Sequence, residues 1–217
     1  MAKLPGPPSV ETLRGVKPEI ATLIAGSRIH RIYFRGGDYP ATYASMRNYG
    51  PVATARFDHH AGPARVHENR GVLYAAVGAD AIATCIAEVF QETRLVDLRR
   101  NDPWLACLKL PDSVDLLDLT GKLPTRAGTS ANIGSGPRPR CRRWSQAIHE
   151  AYPDLQGLLY SSSMNGGEPA ILLYERAFAG VPAAAQQVEP VFNRPLADPG
   201  LLIPLSRVAA SLGYDLA

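Results

Sequence analysis

The chain has 217 residues, of which 46% are hydrophobic and 20% charged, which is enough for one sizeable core and too little for two full domains. Its formal net charge of +3 tolerates an anionic ligand but does not indicate a nucleic-acid-binding protein. No stretch reaches about 18 apolar residues and the N-terminus lacks the apolar run of a signal peptide, so we expect a cytoplasmic protein without a membrane segment. The three cysteines lack close pairing and are predicted to be buried thiols.

The chain begins with a predicted helical segment, followed by a strand. Ser9 is placed to cap a helix that runs through Leu13 and, past a proline, continues over residues 20–25. The alternation in residues 29–34 (IHRIYF) predicts a strand in which Arg31 shares a face with apolar neighbours. An arginine on such a face either lies along the surface with its head in water or binds an anion in a pocket.

A long loop over residues 36–63 contains Asp58, His59 and His60 in succession. This triplet resembles the signature of a manganese-binding phosphoesterase family, but the other acidic motifs of such a site are not visible in the chain. Adjacent histidines in a strand would also point to opposite faces. We therefore expect no metal site here.

Residues 71–90 predict a short buried strand, a tight turn and an amphipathic helix. Asp80 is placed to cap the helix with its side-chain oxygen. The apolar residues recur at the spacing of one helix face: Ile82, Cys85, Ile86, Val89 and Phe90. Glu88 lies well off this stripe, near Ala81 and Thr84. It is therefore not predicted to face the core and can face either water or a cleft.

Four later segments predict the rest of a sheet: residues 104–110, 114–119, 155–160 and 170–174. A basic run with one tryptophan, residues 138–144, precedes the third of them. It is either a nucleic-acid-binding patch or the solvated side of a helix, and Trp144, Ala147 and Ile148 already fit that helix's core face.

Three serines, Ser161, Ser162 and Ser163, follow the third of these strands. They are either turn residues that bond to their own backbone or part of a site. No G-x-S-x-G sequence surrounds them, so an α/β-hydrolase triad is not expected. The chain ends with a predicted short helix over residues 205–212.

The order of three of these positions resembles the RES-domain family, which is named for its Arg, Glu and Ser. They are Arg31 in HRIY, Glu88 in AIAEVF and a serine after LLY. The resemblance runs from about residue 29 to residue 175, and it also includes Arg56 in ARF and Tyr74 in LYAA.

One family motif differs in this chain. The late motif usually reads Tyr-Pro-Ser, whereas this chain has Tyr160 followed by serines. Spacing selects Ser162 as the family serine, although Ser161 or Ser163 could serve.

The resemblance implies a fold similar to that of ADP-ribosyltransferase toxins. This is a single mixed α/β domain with a central mixed sheet and flanking helices. We expect an N-terminal helical extension (residues 1–28), the catalytic domain (residues 29–178) and a Pro/Ala-rich C-terminal extension (residues 179–217) that packs on it.

The resemblance also implies a toxin that breaks down NAD by hydrolysis or phosphorolysis, or that transfers ADP-ribose to a protein. Glu88 would stabilise the oxocarbenium-like ribose, and Arg31 would bind the pyrophosphate as a bidentate fork. Ser162 would orient the ribose or the nicotinamide amide. No base is evident in the sequence to activate it as a nucleophile.

Three more residues complete the implied site. Arg56 would be a second clamp, Tyr74 would lie against the nicotinamide or ribose or else belong to the core, and Ser161 would help to bind NAD. NAD is the substrate in this interpretation, and no metal is expected.

The implied partner is an antitoxin with a helix-turn-helix domain, which would make the DNA contact in place of this chain. The resemblance also admits a homodimer within such a complex. A different class of hypothesis is a non-catalytic module that binds nucleic acid through the arginines of residues 138–143.

Overall fold

The structure, a computed structural model, describes residues 4–178 and 190–217. In these residues the helices are α1 (Val10–Arg14), α2 (Ala81–Val89), α3 (Leu123–Arg126), α4 (Arg138–Ala151) and α5 (Leu202–Leu212). The first six strands are β1 (Ile20–Leu23), β2 (Arg28–Phe34), β3 (Tyr49–Gly50), β4 (Arg65–Val66), β5 (Val72–Ala76) and β6 (Leu95–Val96). The later strands are β7 (Pro103–Lys109), β8 (Val114–Asp118), β9 (Gly157–Ser161), β10 (Pro169–Tyr174), β11 (Phe192–Pro195) and β12 (Asp215–Leu216).

The centre of the fold is an eight-stranded mixed sheet in the order β1-β8-β9-β10-β5-β2-β7-β11. Its pairs are antiparallel except for β8 and β9, which run parallel with Leu117 opposite Leu158. A parallel pair needs a long crossover, and here the crossover contains α4. The expected mixed α/β fold with a central sheet and flanking helices is confirmed.

The helices cover different parts of this sheet with apolar side chains. Trp144 and Ile148 of α4 join a buried cluster with Leu158 and Leu172 from β9 and β10. The helices α2 and α5 belong to a second cluster, which includes Ile32 of β2. The apolar face predicted for α4 is therefore confirmed, and the sheet is the surface on which it packs.

The prediction of a helix over residues 20–25 is wrong. Ser9 does cap α1, accepting a hydrogen bond from the Thr12 N–H, but residues 20–23 form the edge strand β1. Ile20 lies opposite Leu117, and the strand alternates between exposed and half-buried positions. The edge of β8 provides hydrogen-bonding partners for the backbone of β1, and the local sequence of β1 does not reveal this pairing.

The orientation predicted for α2 also needs correction. Asp80 stands at the N-cap position, but its side chain makes no capping hydrogen bond. Ile82 and Val89 are each 37% exposed, whereas Ala81 and Thr84 are 1% exposed. The face that carries Glu88 is thus directed inward, because the helix packs between the sheet and α5.

The expectations for the two ends of the chain, the cysteines and a membrane segment can be compared with the described residues. Residues 1–3 of the expected N-terminal extension and residues 179–189 of the expected C-terminal extension lie outside the described residues. Cys85, Cys107 and Cys141 are buried free thiols, as predicted. Of the helices within residues 4–178 and 190–217, none combines the length and the apolar character that crossing a membrane requires.

Candidate active site

A cleft with a volume of about 250 Å³ opens beside α2. Its floor comes from β2 and β5, and its sides come from α2, the loop at residues 54–56 and the first residue of α4. Glu88 lies among three cationic side chains in the lining: Arg31, Arg56 and Arg138. Apolar groups such as Ile32 and Ala76 form much of the remaining wall. The cleft therefore combines one carboxylate, several guanidinium groups and an apolar surface.

Glu88 and Ser162 form a close hydrogen bond at this cleft. The Ser162 hydroxyl donates to Glu88 Oε1 at 2.6 Å, and it accepts from the backbone N–H groups of Met164 and Asn165, both at 3.2 Å. Ser162 is 1% exposed, whereas Glu88 is half-buried. Because both backbone groups donate to Oγ, the single hydroxyl hydrogen is directed at the carboxylate.

This arrangement corrects one sequence interpretation. No base near Ser162 is evident from the sequence, but the Glu88 carboxylate lies within hydrogen-bonding distance of its hydroxyl. The contact joins residues 74 positions apart, so no local motif could reveal it.

The turn that holds Ser162 is also fastened to α2. The Asn165 side-chain amide donates to Thr84 Oγ1 at 3.0 Å, and the Thr84 hydroxyl donates to the Asp80 carbonyl at 3.0 Å. Thr84 and Glu88 are four residues apart and share one face of the helix. One helix face therefore positions both the carboxylate and the turn that carries its hydrogen-bond donor.

Arg31 lines the cleft with part of its guanidinium group already engaged. Nη1 donates to the Tyr43 and Ser45 carbonyls at 3.0 and 2.8 Å. Nε is buried and has no hydrogen-bond partner within residues 4–178 and 190–217. Burial lowers the pKa of Arg31 to about 10, so the group remains charged at neutral pH. Arg31 thus ties a loop to the sheet and keeps an unsatisfied donor at the cleft.

Arg56 and Tyr74 also line the cleft, and both hold neighbouring backbone. Arg56 Nη1 donates to the Gly136 carbonyl at 2.6 Å. The Tyr74 hydroxyl accepts from the Phe57 N–H at 3.1 Å, and burial raises its pKa well above the ordinary value. These contacts fix the loop that forms one wall of the cleft.

The other two serines are placed differently from Ser162. Ser161 and Ser163 are exposed, and neither is among the residues that line the cleft. The structure therefore brings Arg31, Arg56, Tyr74 and Glu88 to one cleft with Ser162 behind Glu88, and leaves Ser161 outside it.

Two lining residues were missed by sequence reasoning, Arg138 and Tyr160. Arg138 Nη2 donates to the Gln91 side-chain oxygen at 3.1 Å, and Nη1 lies 3.4 Å from Glu92 Oε1. Arg138 belonged to the basic run that was considered for nucleic acid. Tyr160 precedes Ser162 by two positions, which is the spacing of one strand face and a signal that was available.

The arginines of the basic run contact other parts of the protein more than they form a charged surface patch. Arg140 donates to the Leu4 carbonyl at 2.6 Å, and Arg142 donates to the Ala53 carbonyl at 2.7 Å. Arg143 is exposed. Since Arg138 also contacts Gln91 and Glu92 just after α2 and lines the cleft, little of the run is left to bind nucleic acid.

A second groove of about 410 Å³ adjoins the cleft. The two share Thr54, Glu88, Val89, Gln91 and Arg138 in their linings. Glu88 therefore stands where the two spaces meet, and an elongated ligand can reach it while extending to either side.

Asp58, His59 and His60 lie in the predicted loop, where they are buried, so the argument from strand geometry does not apply to them. The two imidazole rings stack at 5.0 Å instead of pointing to opposite faces. Asp58 bonds to His60 Nδ1 at 2.5 Å and pairs with Arg47 at 3.0 Å. Burial would raise the pKa of Asp58, but these partners and the Val52 N–H outweigh it and hold that pKa below its ordinary value.

Comparisons with known proteins agree with this geometry. A family model described as the RES domain matches residues 28–193. A comparison with curated proteins finds no match. Among solved structures, the chain is similar to one described as the crystal structure of the M. tuberculosis MbcT–MbcA toxin–antitoxin complex. The TM-score is 0.51 and the identity 16%, over 85% of this chain and 89% of that chain, which is a likeness of fold.

Proposed function

Because the chain belongs to the RES-domain family, we propose that it is the toxin of a bacterial toxin–antitoxin pair and consumes NAD by cleaving the nicotinamide–ribose bond. The observation that carries this proposal is the Glu88 carboxylate, held at 2.6 Å by Ser162 at a cleft that also presents Arg31, Arg56 and Arg138. An anionic dinucleotide with a cationic leaving group suits this combination of charges.

Glu88 acts on the ribose. When the bond between ribose C1′ and the nicotinamide nitrogen breaks, its electron pair neutralises the pyridinium and positive charge develops on the sugar. A fixed carboxylate beside the sugar stabilises that charge more in the transition state than in bound NAD, because the charge is larger there. Ser162 keeps the carboxylate in place and is a positioning residue in this mechanism.

The arginines bind the pyrophosphate. Guanidinium groups are permanently charged and can donate two parallel hydrogen bonds to a phosphate. Arg31, Arg56 and Arg138 line the same cleft. Tyr74 and Tyr160 supply aromatic surface for a ring of the substrate.

The size of the cleft supports an extended binding mode. Its volume of about 250 Å³ lies below the roughly 300–1,000 Å³ of sites for drug-sized ligands. Only part of a dinucleotide fits there, and the rest occupies the adjoining groove of about 410 Å³. Glu88 and Arg138 line both spaces and therefore face the middle of the substrate.

The acceptor is the group that attacks C1′ after nicotinamide leaves. Water gives ADP-ribose, phosphate gives ADP-ribose 1″-phosphate, and a protein side chain gives a modified protein. Water and a protein hydroxyl or amine lose a proton as the new bond to C1′ forms, whereas phosphate attacks through an oxygen that is already deprotonated at neutral pH.

The test is to incubate purified protein with NAD, with and without phosphate, and to follow the products by NMR. We expect free nicotinamide with the wild type and a loss on the order of 100-fold or more with Glu88→Gln, which keeps the shape but removes the charge. The matched control is Glu150→Gln, the same change at an exposed position of α4, which should leave the rate unchanged.

Two results would contradict the proposal. One is equal turnover by wild type and Glu88→Gln. The other is NAD that stays intact with water, phosphate or a cell lysate as the source of acceptor, where labelled NAD would reveal transfer to a protein. In cells, expression of the wild type should deplete NAD and stop growth, and Glu88→Gln should do neither.

The partner proposed for this toxin is an antitoxin with a helix-turn-helix domain, within a complex in which the chain can also be a homodimer. The fold likeness to a chain of a toxin–antitoxin complex supports it. Co-purification with a helix-turn-helix protein that restores growth is the expected result, and unrelieved arrest would argue against it.

A further inference from the structure

A second cluster of chemically reactive side chains lies away from the cleft and takes no part in the proposed reaction. It consists of His59 from the loop, His149 near the end of α4, and Glu175 directly after β10. Arg138 and His149 are eleven residues apart on α4, which is about 16 Å along the helix axis. The cluster therefore forms a separate site at the far end of the same helix.

The three side chains converge on one point. Glu175 Oε2 lies 3.2 Å from His59 Nε2, and Glu175 Oε1 lies 3.0 Å from His149 Nε2. The two imidazole rings stack with centroids 4.1 Å apart and an angle of 18°. The three ligand atoms, one from each residue, all lie within 4.8 Å of one another.

His59 is the residue that shows a ligand is missing. Its side chain is 0% exposed, and Nε2 faces Glu175 Oε2 at 3.2 Å, whereas Nδ1 has no partner in the part of the chain that the structure describes. Buried polar groups nearly always have a partner, so a fully buried imidazole with an unsatisfied Nδ1 calls for an explanation.

The surroundings hold the three groups in place. The Gly71 N–H donates to Glu175 Oε2 at 3.0 Å. The backbone carbonyls of His59 and His149 accept hydrogen bonds from Arg70 and Arg176, at 3.0 and 3.2 Å. The positions of the ligand atoms are thus set by contacts outside the cluster, as is usual around metal ligands.

We propose that His59, His149 and Glu175 bind a divalent cation of the zinc class. Two imidazole nitrogens and one carboxylate form a common zinc ligand set, with a water molecule in the fourth position. Tetrahedral zinc bonds of about 2.0 Å place neighbouring ligand atoms about 3.3 Å apart. The two carboxylate oxygens of Glu175 lie 3.2 and 3.0 Å from the two imidazole nitrogens, and the three ligand atoms, one from each residue, lie within 4.8 Å of one another. His149 and Glu175 are 11% and 28% exposed, which leaves a path for the ion and for its water.

The ion ties three distant segments together. The loop at His59, the end of α4 and the end of β10 each contribute one ligand, so binding in the folded state adds to stability. Asp58 and His60 are not part of this site, because they are paired with each other and with Arg47.

The test uses untagged protein, since a histidine tag would bind the same ions. Protein stripped with EDTA is titrated with CoCl₂, followed by its visible absorption, and then with ZnCl₂. We expect about one ion per chain, displacement of cobalt by zinc and a higher midpoint of thermal unfolding. Stripped wild-type protein that takes up neither ion overturns the proposal.

Variants assign the ion to these residues. His149→Ala and Glu175→Gln should each weaken zinc binding by more than about 100-fold, because each removes a direct ligand. His67→Ala, a histidine of the same region whose ring contacts His60 instead, should bind one ion as before. Equal zinc binding by all three variants would overturn the assignment, and Glu175→Gln tests it even if His149→Ala does not fold.

The proposed metal site and the proposed NAD reaction can be tested independently of each other. Glu88→Gln should bind zinc like the wild type, because Glu88 belongs to the cleft and not to this cluster. A protein that binds zinc without consuming NAD would leave this inference standing.

Discussion

The Ser162 hydroxyl illustrates how much of the candidate site is decided at a single residue. A serine beside a carboxylate can either be activated as a nucleophile or serve as a hydrogen-bond donor that fixes the carboxylate. Two backbone N–H groups donate to Ser162 Oγ, and these occupy the lone pairs with which it would attack. The local geometry therefore favours the role of a donor to Glu88.

We predict that Ser162→Ala lowers kcat for NAD cleavage by about 10- to 100-fold, because it removes one hydrogen bond to a charged group worth roughly 1.5–3 kcal/mol. KM should change less, since the residue acts through Glu88 in the transition state. Steady-state kinetics measure both constants. Ser163→Ala, the same change at an exposed neighbour, should behave like the wild type. Complete loss of turnover in Ser162→Ala would instead indicate a nucleophile.

The sequence could supply part of this site. Arg31, Glu88 and the serine run each stand in a short motif, and their order along the chain was enough to select them. Arg138 could not be placed with them, because α4 brings it to the cleft through tertiary packing, whereas the spacing of Tyr160 from Ser162 was a signal for Tyr160. His149 and Glu175 were not singled out, because nothing in their local sequence indicates that they meet His59.

At the scale of elements, the inner strands were predictable and the edge was not. Strands β5, β7 and β10 are largely apolar runs and β2 alternates, so their prediction depends little on their neighbours. Strand β1 is short and lies at the edge, so its conformation depends on the free hydrogen-bonding groups of β8. Likewise, the solvent exposure of Ile82 and Val89 depends on where α5 packs, and the sequence of α2 alone does not determine this.

We predict that Gly157→Ala destabilises the fold by about 1–3 kcal/mol. Gly157 lies in β9 between β8 and β10, and an added Cβ would overlap the Leu172 carbonyl oxygen, which is backbone and cannot move aside. Urea denaturation measures the free energy of unfolding. Gly6→Ala is the control, because a Cβ there meets nothing within 4 Å. Equal stability of both variants and the wild type would show that the sheet adjusts to the methyl group.

At the scale of the whole molecule, several ionisable groups are buried in their neutral form. Burial raises the pKa of Cys85 to about 12, and it raises the pKa values of Cys107, Cys141, Tyr160 and Tyr174. In the unfolded chain these groups ionise at the ordinary values of 9.0 for thiols and 10.0 for phenols. When the pH exceeds these unfolded-state pKa values, the folded protein therefore binds more protons than the unfolded protein.

We predict that the free energy of unfolding falls as the pH rises above about 9. A group whose pKa is raised on folding contributes its full stability below the unfolded pKa and loses it as the pH climbs towards the folded pKa. Urea denaturation at about pH 8, 9 and 10 checks this trend, and alkylation of the three thiols only after unfolding is the parallel readout. A free energy that stays constant across this range would contradict it.

The loop and α4 each carry residues of both sites. The conformational free energy of these two elements therefore contributes to binding at both sites. Arg56 and His59 are three residues apart in the loop, and Arg138 and His149 occupy the two ends of one helix. An ion bound at His59 would add a restraint to the loop that Arg56 already holds to Gly136, so a dinucleotide arriving later would lose less conformational entropy on binding. Linkage makes this effect reciprocal: whatever factor the ion adds to the affinity for the dinucleotide, the dinucleotide adds to the affinity for the ion.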